Sequence, residues 1–204
     1  NSMRVETFMY MTGFTWIQTA TNTITFDLYF DNITLAMFVV VTTIAFIVHW
    51  YSYDYMYNDP HLPRFMMYLS FFTFFMLLLI SAADFTILFI GWEGVGLLSY
   101  LLINFWYTRI QANKSALKAI FVNKIGDIAM LGAIALLYLM SGTTNIITIA
   151  ALAPYLQNFT LYNFSLYNVA LCCFVIGAVG KSAQLFLHVW LPDAMEGPTP
   201  VSAL

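Results

Sequence analysis

Residues Gly177–Leu204 read GAVGKSAQLFLHVWLPDAMEGPTPVSAL, and the architecture of the chain follows from them. One lysine, Lys181, stands in an otherwise apolar run. The run breaks at Leu191-Pro192, and the chain then turns through Gly197-Pro198-Thr199-Pro200. A cation in an apolar helix beside a helix break belongs in a membrane. In lipid a charge needs a partner or water, and freed backbone groups need a lined cavity. The candidate partner for Lys181 is Glu93, which sits in the equally unusual stretch Gly91-Trp92-Glu93-Gly94-Val95-Gly96.

Composition agrees. The 204 residues are 61% hydrophobic and 8% charged, with a mean hydropathy of +0.79. A soluble domain carries roughly 25% charged residues, so the chain is read as an all-α polytopic membrane protein in contact with lipid. A net charge of -3 offers no nucleic-acid-binding pattern. The two cysteines, Cys172 and Cys173, are adjacent in an apolar run. They read as small buried side chains, not as a disulfide or metal framework. There is no glycine-rich dinucleotide or phosphate loop and no metal-spaced Cys/His cluster, so no cofactor site is expected in this chain.

Residues 1–31 form an extramembrane segment in this reading. The start Asn1-Ser2-Met3 looks trimmed or internal, and the period-two alternation in Thr23–Phe30 favours a short strand or hairpin. Residues 32–204 form a partial transmembrane domain. A span needs about 20 apolar residues. Such runs lie at about 32–51, 65–82, 85–106, 117–140 and 167–191, giving five complete helices, with the start of a sixth near Pro198. His49, Trp50 and Tyr51 close the first as an interfacial belt, and 141–166 reads as a loop with a short amphipathic helix. Arg64, Arg109, Lys114 and Lys118 fall on one side and only Arg4 on the other, which places the first side in the cytoplasm or mitochondrial matrix.

Four ionisable residues, Glu93, Lys124, Asp127 and Lys181, fall within or near the spans. A central charge costs about 2.5–3.5 kcal/mol on insertion scales, so each needs a partner, water or a role in moving ions. Lys124 and Asp127 are three apart and can pair along one helix. Glu93 and Lys181 can pair between helices. Burial disfavours a charged lysine and a nearby carboxylate favours it, so parting Glu93 from Lys181 pushes a proton off the lysine. The plain alternative is a static pair that holds helices together. His188, seven residues after Lys181 and so two turns along, is a candidate relay, since histidine titrates near neutrality. The glycines beside Glu93 and Lys181 read as close-packing positions or as hinges.

From about Val48 onward the sequence resembles the chain 5 family of NADH–ubiquinone oxidoreductases, the antiporter-like subunits of respiratory complex I. The stretches that carry the resemblance are Phe89–Arg109 (FIGWEGVGLLSYLLINFWYTR), Val122–Asp127, GAVGKSAQ from Gly177, and LPDAMEGPTPVSAL from Leu191. The family's multi-subunit sodium/proton antiporter relatives share parts of these motifs, and a purely structural membrane arm is a third reading. The resemblance implies an antiporter-like helix bundle with one broken helix and a Glu93–Lys181 pair. It further implies proton translocation in the mitochondrial inner membrane, or alternatively a bacterial plasma membrane. NADH, FMN, iron–sulfur clusters and ubiquinone are then held by other membrane-arm and redox subunits. The family's remaining helices are then expected either on a companion chain, this one being a split-gene product, or on the rest of a longer chain of which this is a piece. Two departures stand out. Lys124 occupies the place of an arginine, and Phe186 stands where relatives tend to have proline or glycine, which predicts that the break lies later, nearer Pro192.

Overall fold

The computed structural model describes residues 8–18, 23–161 and 164–203. Strands β1 (Met9–Met11), β2 (Thr15–Gln18), β3 (Thr23–Thr25) and β4 (Leu28–Phe30) precede the helices. They pair antiparallel as β1 with β4 and β2 with β3. The alternation in 23–30 is thus divided at Asp27, whose carboxylate accepts hydrogen bonds from Tyr10 (2.6 Å), Thr25 (2.5 Å) and the Gly13 N–H (3.0 Å). Burial raises the Asp27 pKa, and these hydrogen bonds outweigh it and hold the carboxyl below its ordinary value. Tyr10 is pushed up to about 12, by burial first and then by its bond to Asp27.

The helices are α1 (Asn32–Tyr55), α2 (Leu62–Ser81), α3 (Phe85–Ile103), α4 (Ile110–Ser141), α5 (Ile146–Leu156) and α6 (Leu166–Lys181). Their starts are written in the sequence. Asp31 accepts the Thr34 N–H at 2.7 Å, Asp84 accepts the Thr86 N–H at 2.8 Å, and Asn145 accepts from Ile147 and Thr148. α4 ends at Gly142, at φ +70°, a backbone conformation glycine adopts without a Cβ penalty. Among the described residues four helices, α1 to α4, are long and apolar enough to cross a membrane. Their outward faces carry exposed Ile33, Val39, Phe46, Ile128 and Leu139, as lipid contact requires.

Two ends of the bundle are tied differently. At one, the α2–α3 turn bonds back to the strands through Ala83 N–H and the Asp27 carbonyl (3.2 Å). There Asp84 also accepts from the Thr144 hydroxyl at 2.6 Å. At the other, basic, end Phe65 and Phe105 pack edge to face over Leu69 and Leu102. Arg64 lies over the Phe105 and Tyr107 rings, Arg109 lies over Trp106, and Trp106 donates to Asp59 at 3.2 Å.

The fifth span departs from its expected extent. The helix does not run to Leu191; α6 stops at Lys181 after 16 residues. The Gln184 N–H bonds to the Val179 carbonyl at 3.0 Å and the Ala183 N–H to that of Gly180 at 3.4 Å. This is a Schellman cap, with Ala183 (φ +51°) in the left-handed position usually held by glycine. A second left-handed residue, Phe186 (φ +73°), redirects the chain again. The break therefore lies before Phe186, not near Pro192. Beyond it the chain forms short 3-10 turns at His188–Trp190, Asp193–Glu196 and Thr199–Ala203. The first two lie against α4, with the Lys118–Asp193 ion pair at 2.7 Å between them and that helix, and the third lies against α1 and α3; the Trp190 indole N–H also donates to the Gly180 carbonyl of α6 at 3.1 Å. Cys172 is exposed on α6 and Cys173 half-buried, so the expectation of two buried thiols fails for Cys172, which faces outward with the apolar surface of its helix.

Candidate functional site

Three helices bring the charges together, and glycines set how closely. On α4 and α6, Gly126 faces Gly177 and Gly180; a Cβ on Gly126 would sit 3.2 Å from the Gly177 carbonyl oxygen. The two backbones therefore meet nearly directly, as small residues allow in membrane helices. On α3, Gly91 and Gly94 face α2, where a Cβ on Gly91 would lie 2.8 Å from the Leu79 backbone. That rotation turns Trp92, Glu93 and Gly96 toward α4 and α6.

The expected pairings are exchanged. Lys124 Nζ donates to both oxygens of Glu93, each at 2.8 Å, so Glu93 is held by α4 and not by Lys181. Nor does Lys124 pair with Asp127. The two side chains diverge around α4: Lys124 is half exposed toward Glu93, whereas Asp127 is buried and accepts the Trp92 indole N–H at 2.7 Å. Lys181 Nζ donates to the Trp92 backbone carbonyl at 2.5 Å and lies 4.8 Å from the centre of the Trp92 ring. A carbonyl inside a helix already serves its own ladder. It is open to this second donor because position 96, one turn on, is glycine: a Cβ there would stand 2.9 Å from Nζ.

Trp92 is therefore the residue that joins the site, with its indole on the acid and its carbonyl and ring on the base. The sequence reading passed over it. The available signal was a tryptophan beside an acid in a glycine-rich span, since a buried indole N–H needs a partner. Lys181 occupies the last turn of α6, where the helix dipole favours a cation. Lys181 also opens onto a cavity of about 340 Å³ shared with Asn123, Ser99 and Trp190. His188 is not brought to the site: with α6 ended at Lys181 it is not two helical turns along, and it is exposed on the 3-10 turn that follows.

A family model described as NADH:quinone oxidoreductase/Mrp antiporter, TM matches residues 82–204, which hold all four charges. The chain belongs to this antiporter family. A second model, NADH-Ubiquinone oxidoreductase (complex I), chain 5 N-terminus, matches residues 16–66. Among antiporter-family relatives, the chain is 54% identical over 193 residues to NADH-ubiquinone oxidoreductase chain 5 of Metridium senile. It is 52% identical over 194 residues to that of Dictyostelium discoideum and 50% over 192 to that of Arabidopsis thaliana. Each match covers 93% of this chain but only 29% or 30% of the relative, so the chain spans less than a third of their length. Its fold is also similar to a chain in the structure of the Mrp complex from Dietzia sp. DQ12-45-1b. That likeness has a TM-score of 0.79 at 24% identity, over 96% of this chain and 20% of the other.

Proposed function

We propose that this chain supplies part of a proton-translocating antiporter-like unit in an NADH:ubiquinone oxidoreductase of the mitochondrial inner membrane. Lys181 is the group that takes up and releases the proton. Electron transfer, with NADH, FMN, iron–sulfur clusters and ubiquinone, belongs to partner subunits, and this chain contributes no redox centre. The other membrane-arm subunits are its neighbours in that assembly.

The carrying observation is that Lys181 rests on a neutral carbonyl and a ring while Glu93, next to that carbonyl in sequence, is taken up by Lys124. Among the described residues no carboxylate is in direct contact with Lys181. The switch is then an exchange of partners: when Lys124 leaves Glu93, the carboxylate is free to hold a protonated Lys181, and when Lys124 returns, that proton is released. Asp127 is the fixed acid that keeps Trp92 in place. Moving one charge against 100 mV requires about 2.3 kcal/mol, more than one pKa unit per stroke. His188 is proposed only as a surface relay beyond the break.

The test is Lys181→Ala in native membranes, with NADH-driven proton uptake measured beside electron transfer. Proton yield per NADH falls, or electron transfer slows with it; an unchanged yield overturns the assignment and leaves a structural arm. The family model names Mrp antiporters as well. Sodium-coupled proton exchange without NADH is the result that moves that second reading to first place.

A further inference from the structure

His49 stands on α1, roughly 9 Å before the helix ends at Tyr55 on the basic side of the bundle. Its neighbours Trp50 and Tyr51 are exposed, but His49 is half-buried and bonded to α2. Its Nδ1 lies 2.7 Å from the Ala45 carbonyl oxygen, and its Nε2 lies 3.3 Å from the Ser70 hydroxyl oxygen. Ser70 in turn donates to the Met66 carbonyl at 2.9 Å. These three bonds fix the hydrogens that the ring must carry. Both carbonyls only accept, so Nδ1 carries a hydrogen for Ala45. The hydroxyl has a single hydrogen, and it is spent on Met66. Ser70 therefore meets Nε2 with a lone pair, and Nε2 must carry a hydrogen as well.

A ring with hydrogens on both nitrogens is the imidazolium. Either neutral ring loses one of the three bonds. With its hydrogen on Nδ1, Nε2 and the Met66 carbonyl compete for the one Ser70 hydrogen. With it on Nε2, the Nδ1 lone pair faces the Ala45 carbonyl. Lipid supplies no replacement partner. We infer that His49 is a proton-binding site whose charged ring clasps α1 to α2 through Ser70. Uptake forms one N–H bond from the Nε2 lone pair and adds one positive charge to the ring; release reverses both. α1 packs against α2, β4 and the turn Thr199–Ala203. Their titratable groups are Arg64 and Tyr68 on α2 and Tyr29 on β4, beside Asp54 and the tyrosines that follow His49 on α1. Among the described residues none of these makes an ion pair or hydrogen bond with His49, so the clasp depends on Ser70. By linkage, what the clasp does for the proton the proton does for the clasp. The site stands independently of the reading of Lys181.

The experiment uses the intact assembly in native membranes and reads the thermal midpoint at which this chain is lost from it. Ser70→Ala is compared with the parent at about pH 6 and about pH 8, an interval across which histidine gives up its charge. Ser70→Ala lowers the midpoint at the acid pH, and the deficit shrinks several-fold at the alkaline one. Ser70→Thr keeps the hydroxyl and stays at the parent midpoint at both. In a His49→Phe background, Ser70→Ala shows no pH-dependent deficit. A deficit equal at both pH values, or larger at the alkaline one, means that a neutral ring accepts from the hydroxyl, and it overturns the site. So does no deficit at either pH, or a pH-dependent deficit that survives in His49→Phe. Should His49→Phe fail to assemble, His49→Gln takes its place: its amide can still bond Ser70 but cannot titrate, so its Ser70→Ala deficit is the same at both pH values, and one that still varies with pH overturns the site.

Discussion

Gly96→Ala separates fold stability from function at the site. The new methyl carbon would lie 2.9 Å from Lys181 Nζ and 3.8 Å from Cε, with nothing else within 4 Å. Non-bonded carbon contacts begin at about 3.5 Å, so Nζ must retreat by roughly half an ångström or more. The bond to the Trp92 carbonyl, 2.5 Å at present, then lengthens to about 3.1 Å, the length of an ordinary and not a charge-tightened hydrogen bond. A hydrogen bond made by a charged group is worth about 1.5–3 kcal/mol, and losing about half of that corresponds to roughly three- to tenfold in the occupancy of this contact. The backbone responds in the opposite sense, because alanine is favoured over glycine inside a helix by about 1 kcal/mol. The expected outcome is a thermal midpoint at or above that of the parent protein, with NADH-driven proton uptake reduced about threefold or more. Gly132→Ala is the control, since a Cβ there meets nothing within 4 Å, and it gains the same helix preference with no loss of uptake. Gly96→Ala with undiminished uptake refutes the idea that Lys181 depends on the Trp92 carbonyl.

Three further outcomes follow from the same contacts. Trp92→Phe keeps the ring and the carbonyl under Lys181 but strips Asp127 of its donor. Stability falls by about 1–3 kcal/mol in thermal unfolding, and Trp92→His, which can restore an N–H, recovers part of it. Ala183→Gly relieves the left-handed cap and strengthens the break by about 1 kcal/mol, read as slower proteolysis between Ser182 and Leu187. Asp27 has a folded pKa below its unfolded one, so its contribution is complete above the unfolded value and is lost as pH falls through the lower folded value. Tyr10 behaves inversely, contributing fully below pH 10 and losing its share as pH rises toward about 12. Asp27→Asn flattens the acid limb of a pH–stability curve and Tyr10→Phe the alkaline limb; limbs unchanged by these substitutions would contradict the strand network.

The spans were legible because lipid contact demands long apolar runs, and α1 to α3 begin within a few residues of where hydropathy places them. α4 begins at Ile110, ahead of the expected Leu117, because its first turns carry Lys114 and Lys118 outside the apolar core and so add nothing to hydropathy. The stop at Lys181 was hidden for a different reason. Leu185, Phe186 and Leu187 continue the apolar pattern, and the left-handed residues are alanine and phenylalanine, not the glycine that announces a Schellman cap. The four charges were legible from their cost alone, but their pairing was not. Spacing of three predicts contact only if both side chains lean the same way, and the glycine seam between α4 and α6 turns Asp127 inward while Lys124 reaches across to α3. Periodicity carries no information about rotation between helices.

The shortness of α6 bears on how the protein sits in the bilayer. Sixteen residues rise about 24 Å, less than the roughly 30 Å hydrocarbon thickness, and the last of them is a lysine. As a helix by itself, α6 is apolar but too short to cross the hydrocarbon. Its glycines match the Gly126 surface of α4, a helix of 32 residues synthesised before it. The contacts that seat α6 thus come from helices earlier in the chain. α3 and α4 supply both the surface on which α6 lies and the groups that hold Lys181.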